Sequence, residues 1–159
     1  MLPLISRKKG FTLIELLVVI AILSVLLVIV LVAINPARQT RAARNTQRRA
    51  DVLTVLNAVN QFFIANGSFP GNIDNISTNS PRSIDSNDPD TGVDFCTDLV
   101  PDYVAAFPFD PRTGQGYGFT DCDNAFDTGY KITKNTGDRI TISAPEVAND
   151  GGGTIQATR

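Results

Sequence analysis

Apolar and polar positions divide the chain into two parts near position 36. Between Phe11 and Ile34 the chain has 24 residues, and only three of them are not apolar: Thr12, Glu15 and Ser24. A helix of that length rises about 36 Å at 1.5 Å per residue, which is long enough to cross a bilayer. The pattern therefore predicts a membrane-spanning helix over residues 11–36.

The following segment, residues 37–65, has the periodicity of an amphipathic helix. Its apolar residues recur at spacings of three and four on one face: Val52, Val55, Leu56, Val59, Phe62 and Phe63. Polar residues fall on the opposite face: Asp51, Thr54, Asn57 and Gln61. This spacing predicts a helix that buries one face against a core. Asn66-Gly67 supplies a helix stop, and Pro70 prevents the helix from resuming.

Asn35 and Pro36 separate the two helical segments. Proline has no N–H to donate to the carbonyl four residues earlier, and it biases the residue before it away from the helical conformation. The pair therefore predicts one of two arrangements. Either a single long helix kinks here, or the membrane helix ends and a separate helix follows.

Strand patterns are concentrated in residues 95–159, after a polar connection over 66–94 that predicts little regular structure. Short strands are predicted at 117–120, 129–134, 139–143 and 154–157, with a helical turn at 97–99. Turn residues at 135–138 join the two central strands into a hairpin. Four of its residues are predicted to face the helix: Tyr130, Ile132, Ile140 and Ile142.

These elements predict an α+β fold for the 159-residue chain. A long N-terminal helix, transmembrane in its first half, would pack through its second half on a small antiparallel β-sheet. Residues 37–159 would then form a soluble head with enough chain to bury a small core.

The start of the apolar segment carries a more specific pattern. The basic residues Arg7, Lys8 and Lys9 lead to Gly10, and Phe11-Thr12-Leu13-Ile14-Glu15-Leu16-Leu17 follows. A cleaved secretory signal fits poorly, because the apolar run exceeds roughly 15 residues and ends without a small-residue cleavage site. The segment resembles the N-terminus of type IV pilins and of type II secretion pseudopilins. Over the remaining four-fifths of the chain the resemblance is one of architecture only.

The resemblance implies roles for particular residues. A prepilin peptidase would cut between Gly10 and Phe11 and remove residues 1–10 as a leader, and Phe11 would become the N-methylated first residue. Glu15 would neutralise the amine of Phe11 on the adjacent subunit. A carboxylate in a membrane helix costs about 2.5–3.5 kcal/mol on insertion scales, so a pairing role accounts for its presence.

Charge is distributed unevenly along the sequence. Residues 1–50 hold 8 Lys/Arg and 1 acidic residue, whereas residues 51–159 hold 6 Lys/Arg and 15 acidic residues. Phosphate contacts need a positive surface, so this distribution argues against nucleic-acid binding by the head as a whole.

Five arginines lie on the second helical segment before its apolar stripe: Arg38, Arg41, Arg44, Arg48 and Arg49. At about 100° per residue they fall within roughly 140° of arc, largely on the face that the stripe continues. If the sheet covers the helix only from about Val52 onward, these side chains lie at lipid headgroups or against a neighbouring subunit, where they would contribute to filament electrostatics. A solvated charged face is the alternative.

The chain has no histidine, so the common His-containing metal sites, Ser-His-Asp triads and Cys-His pairs cannot form. Its two cysteines, Cys96 and Cys122, both fall in the part predicted to lie outside the cytoplasm. We therefore expect a disulfide between them, and two buried free thiols are the alternative.

Four acidic residues suggest a calcium site of the kind found in some pseudopilins: Asp110, Asp121, Asp123 and Asp127. An EF-hand loop starting at Asp121 would need glycine at its sixth place and glutamate at its twelfth, and the chain has Phe126 and Ile132 there. A solvated acidic loop is therefore preferred, and no cofactor is expected.

The function that the resemblance implies is structural and not enzymatic: a subunit of a type IV pilus, polymerised into a helical filament of identical chains through its apolar helix. Its partners would be the prepilin peptidase, the assembly platform and motor, and membrane lipid before assembly. It would lie in the cytoplasmic membrane as a single-pass precursor and then in an extracellular filament, where adhesion, motility and DNA uptake are all compatible roles.

Two alternatives remain. A type II secretion pseudopilin is one, although Arg112 stands where such proteins often have tryptophan after Asp-Pro. The other is a membrane-anchored extracellular binding module that does not polymerise. An anchor of that kind would have no need of Glu15.

Overall fold

The computed structural model describes residues 10–116 and 122–159. The chain divides into two compact units, Met1–Gln39 and Thr40–Arg159. The first unit contains helix α1, Leu13–Ile34, and the second contains a small antiparallel sheet. Helix α2, Pro36–Asn66, begins in the first unit and continues through the second. The α+β fold predicted from the sequence is confirmed.

The two helices are separated at Asn35, which corresponds to the second of the two arrangements that the sequence allowed. Asn35 adopts a left-handed conformation with φ of 47°, which ends α1. Its carbonyl accepts hydrogen bonds from the N–H groups of Arg38 and Gln39 at 3.0 and 3.4 Å, so the same residue also starts α2. Pro36 occupies the first position of α2, where its missing N–H costs nothing.

In its described residues the second unit contains five strands: β1 (Pro81–Asp85), β2 (Gln115–Gly116), β3 (Phe126–Asn135), β4 (Arg139–Ala144) and β5 (Ile155–Thr158). Four of them form an antiparallel sheet in the order β1-β3-β4-β5, and the two-residue β2 pairs with the start of β3. A short helix α3, Val93–Leu99, and two 3-10 helices, Ile73–Asn75 and Pro145–Asp150, complete the unit.

The β3–β4 hairpin and one face of α2 share the hydrophobic core, as the sequence predicts. The hairpin residues Tyr130, Ile132, Ile140 and Ile142 are all buried. From α2 the core includes Val52, Val55, Leu56 and Val59. Among the residues assigned to the apolar stripe and to the polar face opposite it, two differ from the prediction. Phe63 remains 39% exposed and stacks on Phe69 at the helix end, and Asp51 is half-buried although it was assigned to the polar face.

Strand β1 was not expected, because the segment 66–94 was predicted to be irregular. Only one of its five residues, Ile84, is buried. A sequence with a single apolar position has too little alternation to be identified as a strand. Pairing with β3 and a hydrogen bond from the Thr128 hydroxyl to the Ile84 carbonyl, 2.8 Å long, hold it in the sheet. The tertiary structure therefore determines this element.

Other boundaries shift by a few residues or fall outside the described ranges. The helical turn expected at 97–99 is the end of α3, and the last strand lies at 155–158 where 154–157 was predicted. The strand expected at 117–120 lies outside the described residues.

The disulfide expected between Cys96 and Cys122 is present. Their Cα atoms are 5.7 Å apart, and both residues are buried. The bond connects α3 to the chain just before β3, so it links two segments that are 26 residues apart in sequence.

Candidate functional site

The start of α1 is built as a helix cap. Thr12 adopts an extended conformation, and its hydroxyl oxygen accepts a hydrogen bond from the Glu15 N–H at 3.3 Å. In return, the Glu15 Oε2 atom accepts bonds from the Thr12 N–H and hydroxyl at 2.8 and 2.7 Å. This reciprocal arrangement is a capping box, which satisfies two backbone donors that a helix end leaves without partners.

The capping box also determines where the Glu15 carboxylate lies. The carboxylate is held beside the first turn, at the N-terminal end of the helix. Gly10 and Phe11 precede this turn, Phe11 is 89% exposed, and a Cβ added to Gly10 would have no atom within 4 Å. The two described residues of the predicted cleavage site, Gly10 and Phe11, are therefore both exposed. The Thr-x-x-Glu spacing was visible in the sequence, but only Glu15 was assigned a role there.

Helix α1 has 22 residues and none of them is buried. It is apolar on every side, and its length and composition are sufficient to cross a membrane. Two of its polar side chains make hydrogen bonds close by: Glu15 Oε2 with Thr12 in the capping box, and the Ser24 hydroxyl with the Ile20 carbonyl at 2.7 Å. A helix also satisfies its own backbone groups, as a segment surrounded by hydrocarbon requires. Its apolar surface remains available to lipid or to other chains.

Arg48 on α2 is fully buried in a network of ion pairs. Its Nε and Nη2 atoms donate to the two carboxylate oxygens of Asp110 at 2.6 and 3.0 Å. Its Nη1 atom donates to Asp150 Oδ2 at 2.7 Å and to Asn45 Oδ1 at 2.8 Å. The bidentate contact between Arg48 and Asp110 is the strongest form of an arginine–carboxylate pair.

Arg44, one turn earlier on α2, completes the network. It donates from Nε and Nη2 to the two oxygens of Asp150, at 2.9 and 2.6 Å. Asp150 lies at the end of the 3-10 helix Pro145–Asp150, and Asp110 lies in the loop before β2. The two arginines therefore attach two separate loops to the third and fourth turns of α2 within the head.

The network changes how its carboxyl groups titrate. Hydrogen bonds from Arg44 and Arg48 lower the pKa of Asp150 far below its usual range, against the opposing effect of burial. Burial tends to raise the pKa of Asp110, but the bonds from Arg48 and from the backbone N–H groups of Arg112 and Thr113 outweigh it and leave the pKa lowered. Both groups are therefore charged at neutral pH and contribute stability there.

The placement of Arg44 and Arg48 differs from the sequence interpretation, which assigned both to headgroups or to a neighbouring subunit. Contacts between α2 and the rest of the second unit begin at Arg44 and not at Val52, because two carboxylates distant in sequence supply partners for the guanidinium groups. Arg38, Arg41 and Arg49 are exposed, and none of them has an ion pair among residues 10–116 and 122–159. The helical arc thus contains two kinds of arginine.

Close backbone approaches make this network possible. A Cβ on Gly152 would come within 2.8 Å of the Asn45 amide nitrogen, and one on Gly129 within 2.8 Å of the Asp110 Cβ. Sequence periodicity identifies neighbours three and four residues apart, whereas Arg48 and its carboxylates are separated by 62 and 102 positions. No local pattern could have identified these partners.

A second polar contact lies beside the network. The Tyr130 hydroxyl donates a 2.7 Å hydrogen bond to Asp51 Oδ2. Burial raises the pKa of Asp51, the bond from Tyr130 partly offsets this, and the negative charge of Asp110 adds to the increase. Burial and the neighbouring carboxylate also raise the pKa of Tyr130. This contact explains why Asp51 is on the core side of α2.

The structure does not gather the suggested calcium ligands. Both oxygens of Asp110 are engaged by Arg48, and Asp127 accepts a hydrogen bond from the Gly129 N–H at 2.9 Å. Asp121 lies outside the described residues. Among residues 10–116 and 122–159, no group of three or more Asp, Glu or Cys side chains is placed to hold a metal ion. Asp110 serves as an ion-pair partner in this arrangement.

The N-terminal segment matches a known family model. Residues 5–31 match the prokaryotic N-terminal methylation motif. This is the class III prepilin-type signal of type IV pilins and pseudopilins, so the resemblance is confirmed for this segment. Comparison of the chain with curated proteins and with solved structures gave no significant match in either set.

The motif has several coarse consequences. It implies processing by a prepilin peptidase and assembly into a filament, and it points to a structural role and not an enzymatic one. With the apolar helix α1, it fits a membrane-anchored precursor of the pilin or pseudopilin type.

Proposed function

We propose that this chain, which carries the prepilin-type signal at its N-terminus, is a structural subunit of a type IV pilus filament. Before assembly α1 anchors the precursor in the cytoplasmic membrane. After removal of residues 1–10, α1 enters the core of an extracellular filament built from copies of this chain. The assembly platform and motor would move the subunit from one environment to the other.

The exposed helix α1 carries this proposal. All 22 of its residues are accessible, so its apolar surface must be covered either by lipid or by other chains. Burying apolar surface stabilises by about 25 cal/mol per Å². A filament core of packed α1 helices would cover this surface on all sides. The helix of a simple anchor would be covered only by lipid, and only while it stays in the bilayer.

Glu15 supports polymerisation over simple anchoring. In its own chain the carboxylate is held at the first turn of α1 by Thr12. Its negative charge has no cationic partner among the described residues. A new N-terminal amine on Phe11 of an adjacent subunit would supply one, and a pair of opposite charges is tolerated in a low-dielectric core where a single charge is not.

Processing provides the first test. Mass spectrometry of protein sheared from the cell surface should show a chain that begins at Phe11 and carries an N-methyl group. A Gly10→Leu variant should remain uncut, because its side chain would crowd the peptidase site. Filaments that retained residues 1–10 would contradict the proposal.

Imaging of the cell surface distinguishes the proposed pilus from the alternatives. A strain that lacks this gene should lose surface filaments under the electron microscope and keep protein secretion. Loss of secretion without loss of filaments would identify a secretion pseudopilin. Normal filaments and normal secretion would favour a membrane-anchored binding module.

The exposed arginines give a further prediction about filament stability. Replacing Arg38, Arg41 and Arg49 together with glutamine should make isolated filaments fragment at lower salt, because these charges would face acidic heads of neighbouring subunits. Each exposed pair contributes only about 0.2–1 kcal/mol, but the contacts repeat along a filament. Fragmentation would be followed by sedimentation at increasing salt.

A control separates filament contacts from lipid contacts. If the three arginines bind only headgroups before assembly, the triple variant would show weaker retention on anionic vesicles and unaltered salt tolerance of the filaments. The free energy of unfolding of the head should not change in either case, because these side chains make no ion pair in the described part of the chain.

A further inference from the structure

The outer face of the sheet, opposite the core, has a shallow groove of about 480 Å³. Its lining is almost entirely neutral and polar: Asn79, Pro81, Thr133, Asn135, Thr136, Arg139, Thr141, Gln156 and Thr158. No acidic residue lines it, although residues 51–159 hold 15 acidic residues. The groove therefore differs in charge from the rest of the head.

The register of the sheet builds the floor of this groove. Thr133 on β3 lies opposite Thr141 on β4, and Thr141 lies opposite Thr158 on β5. Alternation along each strand places these three hydroxyl side chains on the face away from Ile132, Ile140 and Ile142. A row of hydroxyl groups thus crosses three neighbouring strands.

Hydrogen bonds fix part of this floor. The Asn135 amide donates to the Thr141 hydroxyl oxygen, and the Thr141 and Thr158 hydroxyl groups share a hydrogen bond of 2.7 Å. Groups that are already oriented lose less conformational freedom when a ligand binds. Thr141 is buried and its hydroxyl is occupied by these two bonds, so it orients Asn135 and Thr158, which are the more exposed polar groups of the lining.

The lining chemistry indicates the kind of ligand. Hydroxyl and amide groups both donate and accept hydrogen bonds, as the hydroxyl groups of a sugar do. Arg139 is the one charged residue of the lining, is exposed, and has no ion pair among residues 10–116 and 122–159. Its guanidinium fork suits a carboxylate.

We propose that this groove binds an acidic saccharide, with the sugar hydroxyl groups on the threonine and amide side chains and the carboxylate of a uronic acid unit on Arg139. A nucleic acid fits less well, because phosphate-driven binding relies on several cations and the groove offers one. The cavity volume lies within the range of about 300–1,000 Å³ that is usual for small-ligand sites.

The groove is open and has no aromatic side chain, so we expect a single site to bind weakly. A filament would present many identical grooves to one polysaccharide, and repeated weak contacts then add up to tight attachment. This gain rests on the proposed function, whereas binding by the single chain does not.

The test uses full-length protein as monomers in detergent micelles, so that its outcome does not depend on filament assembly. Amide chemical shifts are followed during titration with tri-galacturonic acid, with maltotriose as the neutral probe and with hexathymidylate as the nucleic-acid probe. Tri-galacturonic acid should shift the amides of Thr133, Thr141 and Thr158 and should bind at least about tenfold more tightly than maltotriose.

Matched variants assign the binding to the groove. Arg139→Gln should weaken tri-galacturonic acid binding about tenfold, because it removes the charge-assisted contact. Lys131→Gln removes the same charge from the same sheet face outside the groove lining and should change binding less than twofold. Thr133→Val keeps the shape and β-propensity but removes a hydroxyl, and it should weaken binding several-fold.

Specific results would overturn the proposal. These are no shift with tri-galacturonic acid, tighter binding of hexathymidylate, or an equal loss in Arg139→Gln and Lys131→Gln, which would indicate diffuse charge attraction and not a site.

Discussion

Replacing Arg48 with glutamine should lower the free energy of unfolding of the head by about 3–5 kcal/mol. The substitution removes a fully buried cation and leaves the buried carboxylate of Asp110 without its partner, which is the costly way to break a buried pair. Asp150 retains its ion pair with the partly exposed Arg44. Most of the loss should therefore come from Asp110.

Arg49→Gln is the matched control, since it removes the same charge from the adjacent position. Arg49 is exposed and makes no ion pair in the described part of the chain, so its replacement should change the free energy of unfolding by less than about 0.5 kcal/mol. Urea unfolding of both full-length variants in detergent, monitored by the near-ultraviolet circular dichroism of the tyrosines, would measure the difference. Equal losses in the two variants would show that the buried network contributes nothing specific.

The pH dependence of the Arg48→Gln effect provides an independent check. In the native protein the pKa values of Asp110 and Asp150 are lowered, so their stabilisation is present above the unfolded value near 3.8 and is lost as the pH falls below it. Without Arg48, only the backbone N–H groups of Arg112 and Thr113 oppose the effect of burial, so the pKa of Asp110 should rise from its native value. The difference in free energy of unfolding between the variant and the native protein should therefore be largest at neutral pH and should decrease below about pH 4.

The network also shows where prediction from the sequence succeeds and where it stops. Hydrophobic periodicity located α1, the core face of α2 and the β3–β4 hairpin, because each of these is a local pattern of apolar residues. The sequence interpretation placed all five arginines on the same helical face and treated them as one class. Their division into buried and exposed members depends on Asp110 and Asp150, which meet α2 only after the chain has folded.

The N-terminal site was better predicted for the same physical reason. Its pattern lies within a few residues of Gly10, and the family model covers the same segment. The sequence interpretation assigned Glu15 a partner in another subunit and did not consider Thr12, which binds the same carboxylate within the chain. Glu15 thus has two possible contributions, one to capping α1 and one to pairing between subunits.

Two substitutions of Glu15 separate these contributions. Glu15→Gln keeps an oxygen that can accept from Thr12, so it preserves the capping box but removes the charge. Glu15→Leu removes both. If charge pairing between subunits governs assembly, both variants should reach the membrane normally, because neither buries a charge there, and both should lose filaments.

Ser24→Leu serves as the control for a polar group lost from α1. The Ser24 hydroxyl is satisfied by Ile20 in its own helix, so this variant should assemble like the native protein. Filaments would be counted by electron microscopy at matched amounts of membrane-inserted subunit. Normal filament yield from Glu15→Gln together with loss from Glu15→Leu would contradict charge pairing, because it would show that assembly needs a hydrogen-bond acceptor at this position, as the capping box does, and not a negative charge.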